Sequence, residues 1–219
     1  MRAEAGPKRR SPFDAGFDLW AEVKQAAREP DARRGGERRA KAEVGFAEGV
    51  MGNARVAVTY QRQGTCRRCK GRGKLPATTI ECPVCAGTGA TEETRQLDVS
   101  LPDGGVVHGQ VLRLKGQGDA GYGDDDGDLY VTLSVQYVDE AARTTRDADG
   151  SLFTEVELPA EVLAKGGALP VTLVEGTKGT LQVPGNSKDG AALRVRGKGA
   201  IATAGGARGD HVFVLRAIE

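Results

Sequence analysis

The four cysteines of this 219-residue chain, Cys66, Cys69, Cys82 and Cys85, carry its strongest chemical signal. They form two Cys-x-x-Cys pairs, Cys66-Arg-Arg-Cys69-Lys-Gly71-Arg-Gly73 and Cys82-Pro-Val-Cys85-Ala-Gly87-Thr-Gly89, separated by twelve residues. A Cys-x-x-Cys turn aims two sulfurs at one point. Two such turns supply the four thiolates of a tetrahedral structural zinc ion and leave no position open for a substrate or a reactive water. The glycines after each pair suit positive-φ turns that fold backbone amides toward sulfur. A thioredoxin-like redox pair would need a single Cys-x-x-Cys in a βαβ setting, and no such pattern is present. Disulfides fit poorly, because no signal peptide precedes the cysteines and all four fall within twenty residues. One structural zinc ion is expected.

Other candidate chemistry is thin. No Ser-His-Asp, Cys-His or paired-carboxylate constellation is evident, so an enzyme is not expected. Asp119 and the run Asp124-Asp-Asp-Gly-Asp128 lack the distal bidentate Glu of a calcium loop and are read as a turn. Arg208-Gly-Asp210 aligns with Gly127-Asp128 at a strand start, which makes its role structural. Arg62, Arg67, Arg68, Lys70, Arg72 and Lys74 form a basic run on the cysteine segment. Such a run is commonly a solvated face, but it could grip phosphates or acidic segments of a partner protein. The formal net charge of +1 argues against a chain-wide polyanion binder, so nucleic acid ranks last among the partners considered. Neither an eighteen-residue apolar run nor an apolar signal core occurs, which predicts a cytoplasmic protein without a membrane partner.

The elements that must position the cysteines come from an internal repeat. Gly109, Gly116 and Gly118 match Gly190, Gly197 and Gly199 at an offset of 81, and Gly127-Asp128 matches Gly209-Asp210. Upstream, Glu43-Val44 answers Glu155-Val156 at an offset of 112; the extra 31 residues equal the length of 61–91, the cysteine segment with its flanks. The predicted fold is therefore mainly β: two tandem homologous small β-domains, 43–138 and 139–219, with a zinc hairpin at 61–91 inserted in the first. Alternating apolar and polar residues predict strands at 55–60, 96–101, 110–114 and 128–135, and again at 152–158, 169–174, 180–183, 192–195 and 211–216. Pro159–Lys165 predicts a short helix, and Phe46–Met51 is its twin. Residues 1–42, with eleven Lys or Arg against seven Asp or Glu, predict a basic flexible segment with a short amphipathic helix at Asp18–Arg28 and a linker from Asp31 to Ala40.

Over residues 40–219 the chain resembles the C-terminal, substrate-binding part of the DnaJ co-chaperones. The resemblance rests on the Cys-x-x-Cys-x-Gly-x-Gly modules, Leu101-Pro-Asp-Gly-Gly, Leu112-Arg-Leu-Lys-Gly-Gln-Gly118, Gly127-Asp-Leu-Tyr-Val131, Val183-Pro-Gly and Leu193-Arg-Val-Arg-Gly-Lys-Gly199. It implies two β-domains that hold unfolded or hydrophobic polypeptide segments by adding a client strand to a sheet edge beside an apolar groove. Carried onto this chain, the groove candidates are Val56, Val58, Tyr60 and Val99. The chain departs from the family pattern in having two cysteine modules where such members carry four, hence one zinc ion. It also lacks a His-Pro-Asp turn and a segment beyond Glu219, which predicts a monomer without J-domain activity. The alternative reading is an adaptor that uses the same β-domains to bind one dedicated partner.

Overall fold

The computed structural model describes residues 32–218. The amphipathic helix expected at Asp18–Arg28 lies outside them. The first domain opens with β1 (Arg38–Val44), α1 (Phe46–Met51), β2 (Arg55–Thr65) and β3 (Ala90–Ser100), and ends with β4 (Val111–Leu114) and β5 (Leu129–Val135). The second begins with β6 (Val138–Asp139), β7 (Thr144–Arg146), β8 (Leu152–Pro159) and α2 (Ala160–Lys165). It continues with β9 (Gly167–Thr172), β10 (Lys178–Val183), β11 (Ala192–Val195) and β12 (His211–Ile218).

The two domains share one topology. In the first, β1 runs parallel to β5, and β4 pairs antiparallel on the other side of β5. In the second, β8 runs parallel to β12, with β11 antiparallel on the far side. A separate antiparallel pair completes each domain, β2 with β3 and β9 with β10. The core of the first domain lies between its two sheets, where Val44, Val58, Val99, Val106, Leu129, Val131 and Leu133 are all buried. That arrangement follows from alternation. Every second residue of β5 (Leu129, Val131, Leu133, Val135) faces the core, and the residues between them are half-exposed.

Register corrects the upstream alignment of the repeat. Val44 lies opposite Val135 and Leu158 opposite Ala217, and the helices start at Phe46 and Ala160, so the true offset there is 114 rather than 112. Just downstream of the hairpin, Gly109 and Gly190 are 81 apart, so the insertion amounts to 33 residues. It enters as an extension of one hairpin: β2 and β3 run eleven residues each, whereas β9 and β10 run six. The domain limits also move. The stretch read as a linker is strand from Arg38 onward, and Arg33 already bridges to Tyr122. At the other limit, Val138 pairs with Thr145 in the second domain's sheet, leaving Gln136 and Tyr137 as the connection.

The repeated glycines and aspartates have a common physical basis. Asp128 accepts hydrogen bonds from Gly116 N–H at 3.0 Å and Arg113 Nε at 2.8 Å. Asp210 accepts from Gly197 N–H at 2.9 Å and pairs with Arg194. The Gly116 amide and the Arg113 guanidinium hold the Asp128 carboxyl below its usual range. A Cβ at Gly127 would meet Gly36 O at 2.0 Å, and one at Gly209 would meet Gly150 O at 2.6 Å, so backbone passes backbone there. Arg208-Gly-Asp210 thus leads directly into β12.

A buried cation joins the domains. Arg146 donates from Nη1 to Val106 O at 3.1 Å in the first domain and from Nη2 to Ile201 O at 2.6 Å in the second. Burial lowers its pKa. Phe46 and Val50 of α1 pack with Leu152 and Ala200 beside it. Hydrogen bonds from a charged donor are worth about 1.5–3 kcal/mol each, so Arg146→Met should cost about 2–4 kcal/mol. Urea unfolding reads that loss, and limited proteolysis should show faster cleavage near Gln136–Arg143.

The second domain also carries an acid-sensitive group. Thr144 donates to Ala142 O, which leaves Thr154 to donate to Thr144 (2.6 Å apart) and His211 Nε2–H to donate to Thr154 at 2.7 Å. This chain fixes the neutral Nε2–H tautomer, and Nδ1 is buried without a partner. A second proton has no acceptor, and burial pushes the His211 pKa down to about 4 from 6.5. The unfolded chain therefore binds more protons between those values, so stability rises with pH there and is complete above 6.5. Lowering the pH from 7 to 5 should remove about 2 kcal/mol through this residue. Urea midpoints at the two pH values should converge in His211→Gln.

Candidate functional site

The cysteine hairpin is built from the ends of β2 and β3. Thr65 pairs with Ala90, Cys66 N–H bonds Gly89 O, and each Cys-x-x-Cys then forms a tight turn. Gly73 N–H donates to Cys69 Sγ at 3.3 Å and Gly89 N–H to Cys85 Sγ at 3.2 Å, so the glycines do bring amides onto sulfur. Gly73 and Gly89 take φ of 73° and 79°, conformations costly to a side-chain-bearing residue. A Cβ at either would also strike the other turn's backbone at 2.2 Å.

All four Sγ atoms are buried and lie within 4.8 Å of one another. Cys66 Sγ and Cys82 Sγ are 4.0 Å apart, and Cys69 Sγ and Cys85 Sγ 3.7 Å. Four sulfurs bound tetrahedrally at ~2.3 Å stand about 3.8 Å from one another. Residues and geometry therefore fit a metal ion. Among the described residues this is the one cluster of potential ligands close enough to hold one. The thiols are not equivalent by themselves. A backbone N–H from Cys69 draws the Cys66 pKa down to about 7, whereas burial drives Cys69 up to about 11.

The first domain braces the hairpin. Arg62, nearly fully buried, pairs with Glu93 at 3.0 Å and donates to Asp126 Oδ2 at 3.1 Å. The Tyr122 ring lies against Gly71, where a Cβ would meet it at 2.4 Å. Asp119 accepts from Gln63 N–H at 2.7 Å and from Arg38 Nε at 2.6 Å. These partners explain the acidic turn: Asp119, Asp126 and Asp128 spend their charge on arginines and amides. Sequence reading missed both Arg62 as a buried brace and Tyr122, because their partners lie 31 to 64 residues away and no local pattern announces them.

The expected groove residues face the core of the first domain. Val58, Tyr60 and Val99 are core side chains, and Val56 is half-buried against the same cluster. Tyr60 spends its hydroxyl on Gln117 O at 2.7 Å. They pack against the opposing sheet, as the inward positions of a two-sheet domain must. What β2 does expose is its backbone edge. Gln63 N–H donates to Asp119, and Gln63 O accepts from Ala120 N–H, so Gln63 points its backbone away from β3. Residues two apart share that direction in an antiparallel pair, which turns the amides and carbonyls of Ala57, Thr59 and Gln61 outward too. Among the described residues, no strand pairs with that edge.

Comparison with known proteins places this geometry in a family. The family model for the DnaJ C terminal domain matches residues 38–217. The chain belongs to the DnaJ C-terminal domain family. Chaperone protein DnaJ of Paramagnetospirillum magneticum is 35% identical over 157 residues, covering 71% of this chain and 39% of that protein. Chaperone protein DnaJ of Pediococcus pentosaceus is 40% identical over 156 residues, covering 70% and 39%. The DnaJ of Ruegeria pomeroyi is 37% identical over 177 residues, covering 71% and 45%. The chain thus spans about two-fifths of the length of these relatives. Among the described residues, no helix is long and apolar enough to cross a membrane.

Proposed function

We propose that this DnaJ-like chain binds unfolded or hydrophobic polypeptide segments and that its cysteine cluster holds one structural zinc ion. The observation that supports the reading is the outward-facing edge of β2 at Ala57, Thr59 and Gln61, which ends where Asp119 and Ala120 occupy Gln63. A client strand added there takes up main-chain hydrogen bonds irrespective of its sequence, as a chaperone's client range requires. Val56, Val58 and Tyr60, with Val99 of β3, hold the β2–β3 pair against the core behind that edge. Zinc suits four buried thiolates, and its charge supplies what four buried anions need. A reducing cytoplasm suits free thiols. We read the role as one of binding.

The test is suppression of aggregation of a chemically denatured, unrelated protein. Proline at Thr59 removes an N–H that faces away from β3, so Thr59→Pro should leave the β2–β3 ladder intact while blocking strand addition. Loss of suppression of at least fivefold in a folded variant is expected. Unchanged suppression would move the client site off this edge, and no suppression by the zinc-loaded parent would refute client binding.

A further inference from the structure

The cysteine hairpin presents a surface that client binding at the β2 edge does not use. Arg67, Arg68, Lys70 and Lys74 are all exposed, and among the described residues none of them has an ion-pair partner. The one carboxylate between Cys66 and Gly89 is Glu81. Lys74 stands opposite Glu81 in an isolated antiparallel bridge, whereas the mutual repulsion of Arg67, Arg68 and Lys70 is left for an acidic ligand to relieve. Between the guanidinium-bearing residues Arg67 and Arg68 lies a shallow hollow whose remaining walls are Leu75 and Pro76. The same loop holds Ile80 and Val84 at 61% and 57% exposure, large apolar side chains that a free-standing zinc hairpin has no structural reason to show to water.

We infer that this face of the hairpin docks an acidic polypeptide segment, with an apolar side chain seated on Leu75 and Pro76 and carboxylates on Arg67 and Arg68. Charge complementarity selects the sign of the partner. Arginine in particular matches carboxylates through its planar fork of donors. The apolar floor favours polypeptide over nucleic acid. No Phe, Tyr or Trp occurs between Gln61 and Thr91 on which a base could stack, and none of these residues forms a helix to enter a groove. A phosphate backbone would leave Leu75 and Ile80 uncovered. The site is separate from the β2 edge, so a client strand and an acidic segment can be held together.

The test uses the zinc-loaded full chain and three fluorescent probes read by anisotropy at low and physiological salt. These are a twelve-residue Glu-rich peptide containing two leucines, the same peptide with alanines for the leucines, and an oligothymidine of twenty nucleotides. The leucine peptide should bind most tightly, and its affinity should fall about tenfold in Arg67→Glu/Arg68→Glu, a difference of 1.4 kcal/mol. Retained metal content and circular dichroism confirm that this variant is folded; Lys70→Glu/Lys74→Glu is the second variant should the first lose its metal. Aggregation suppression should persist in the charge-reversed protein, which separates failure of this inference from failure of the client-binding reading. Binding unaffected by charge reversal, equal affinity for the alanine peptide, or tighter binding of the oligonucleotide would each overturn it, as would no peptide binding at low salt.

Discussion

Cys82→Ser is expected to lose the metal and to unfold residues 61–91 while both β-domains stay folded. The size of the effect follows from the number of interactions that depend on the cluster. The hairpin beyond Thr65 has almost no apolar core other than its four cysteines, which form a cluster of their own. Structural zinc sites supply ~10–16 kcal/mol of apparent binding energy, comparable with the whole stability of a typical domain. Three remaining ligands and an unpaired glycine-rich loop cannot replace that. The lower halves of β2 and β3 are different, because Val58, Tyr60 and Val99 belong to the main core. Hydrogen exchange should therefore show fast amides from about Gln63 to Thr91 and slow ones in β1, β5, β8 and β12. Global loss of protection would mean that the insertion is integral to the first domain. Chelation should give the same pattern, and lowering the pH should weaken metal binding, since each thiol must lose its proton to bind the metal.

Val58→Asp is expected to unfold the first domain altogether. Val58 is 1% exposed between two sheets, with Val44, Leu101 and Val131 in the same cluster. A carboxylate there finds no cation, so it must either ionise in an apolar core or stay protonated at neutral pH, and the packing of the valine is lost as well. The cost should be about 4 kcal/mol or more, a large part of the stability of a domain this size. Loss of the first domain's unfolding transition in urea would agree. A folded Val58→Asp protein with normal stability would show that the site is open to water after all. This substitution cannot serve as a client-site control, because it removes the fold that carries the site. Thr59→Pro can.

The legibility of the sequence depended on how local each signal was. The cysteine cluster could be read because its ligands and turn-forming glycines lie within one 24-residue stretch, Cys66–Gly89. The two domains were legible because Gly-Asp at Gly127 and Gly209, with the arginines they clamp, recur in order. β1 was hidden: its inward positions Ala40 and Ala42 are small, its outward ones Arg39, Lys41 and Glu43 are charged, and this resembles a linker. Only parallel pairing with β5 makes it a strand. The groove expectation rests on a less local signal. Alternation at Val56, Val58 and Tyr60 tells that one face is covered but not whether a second sheet or a client covers it. Arg146, Arg62 and His211 take partners 31 to 64 residues away, so no short window of sequence could show them.

The most direct test of polypeptide capture is site-resolved hydrogen exchange of the zinc-loaded protein with and without a saturating unfolded client peptide. Added strand pairing should slow exchange of the outward amides of Ala57, Thr59 and Gln61 by at least tenfold, with their inward neighbours Val58 and Tyr60 unchanged. Unaltered exchange along β2, or protection appearing elsewhere while these three amides stay open, would contradict it.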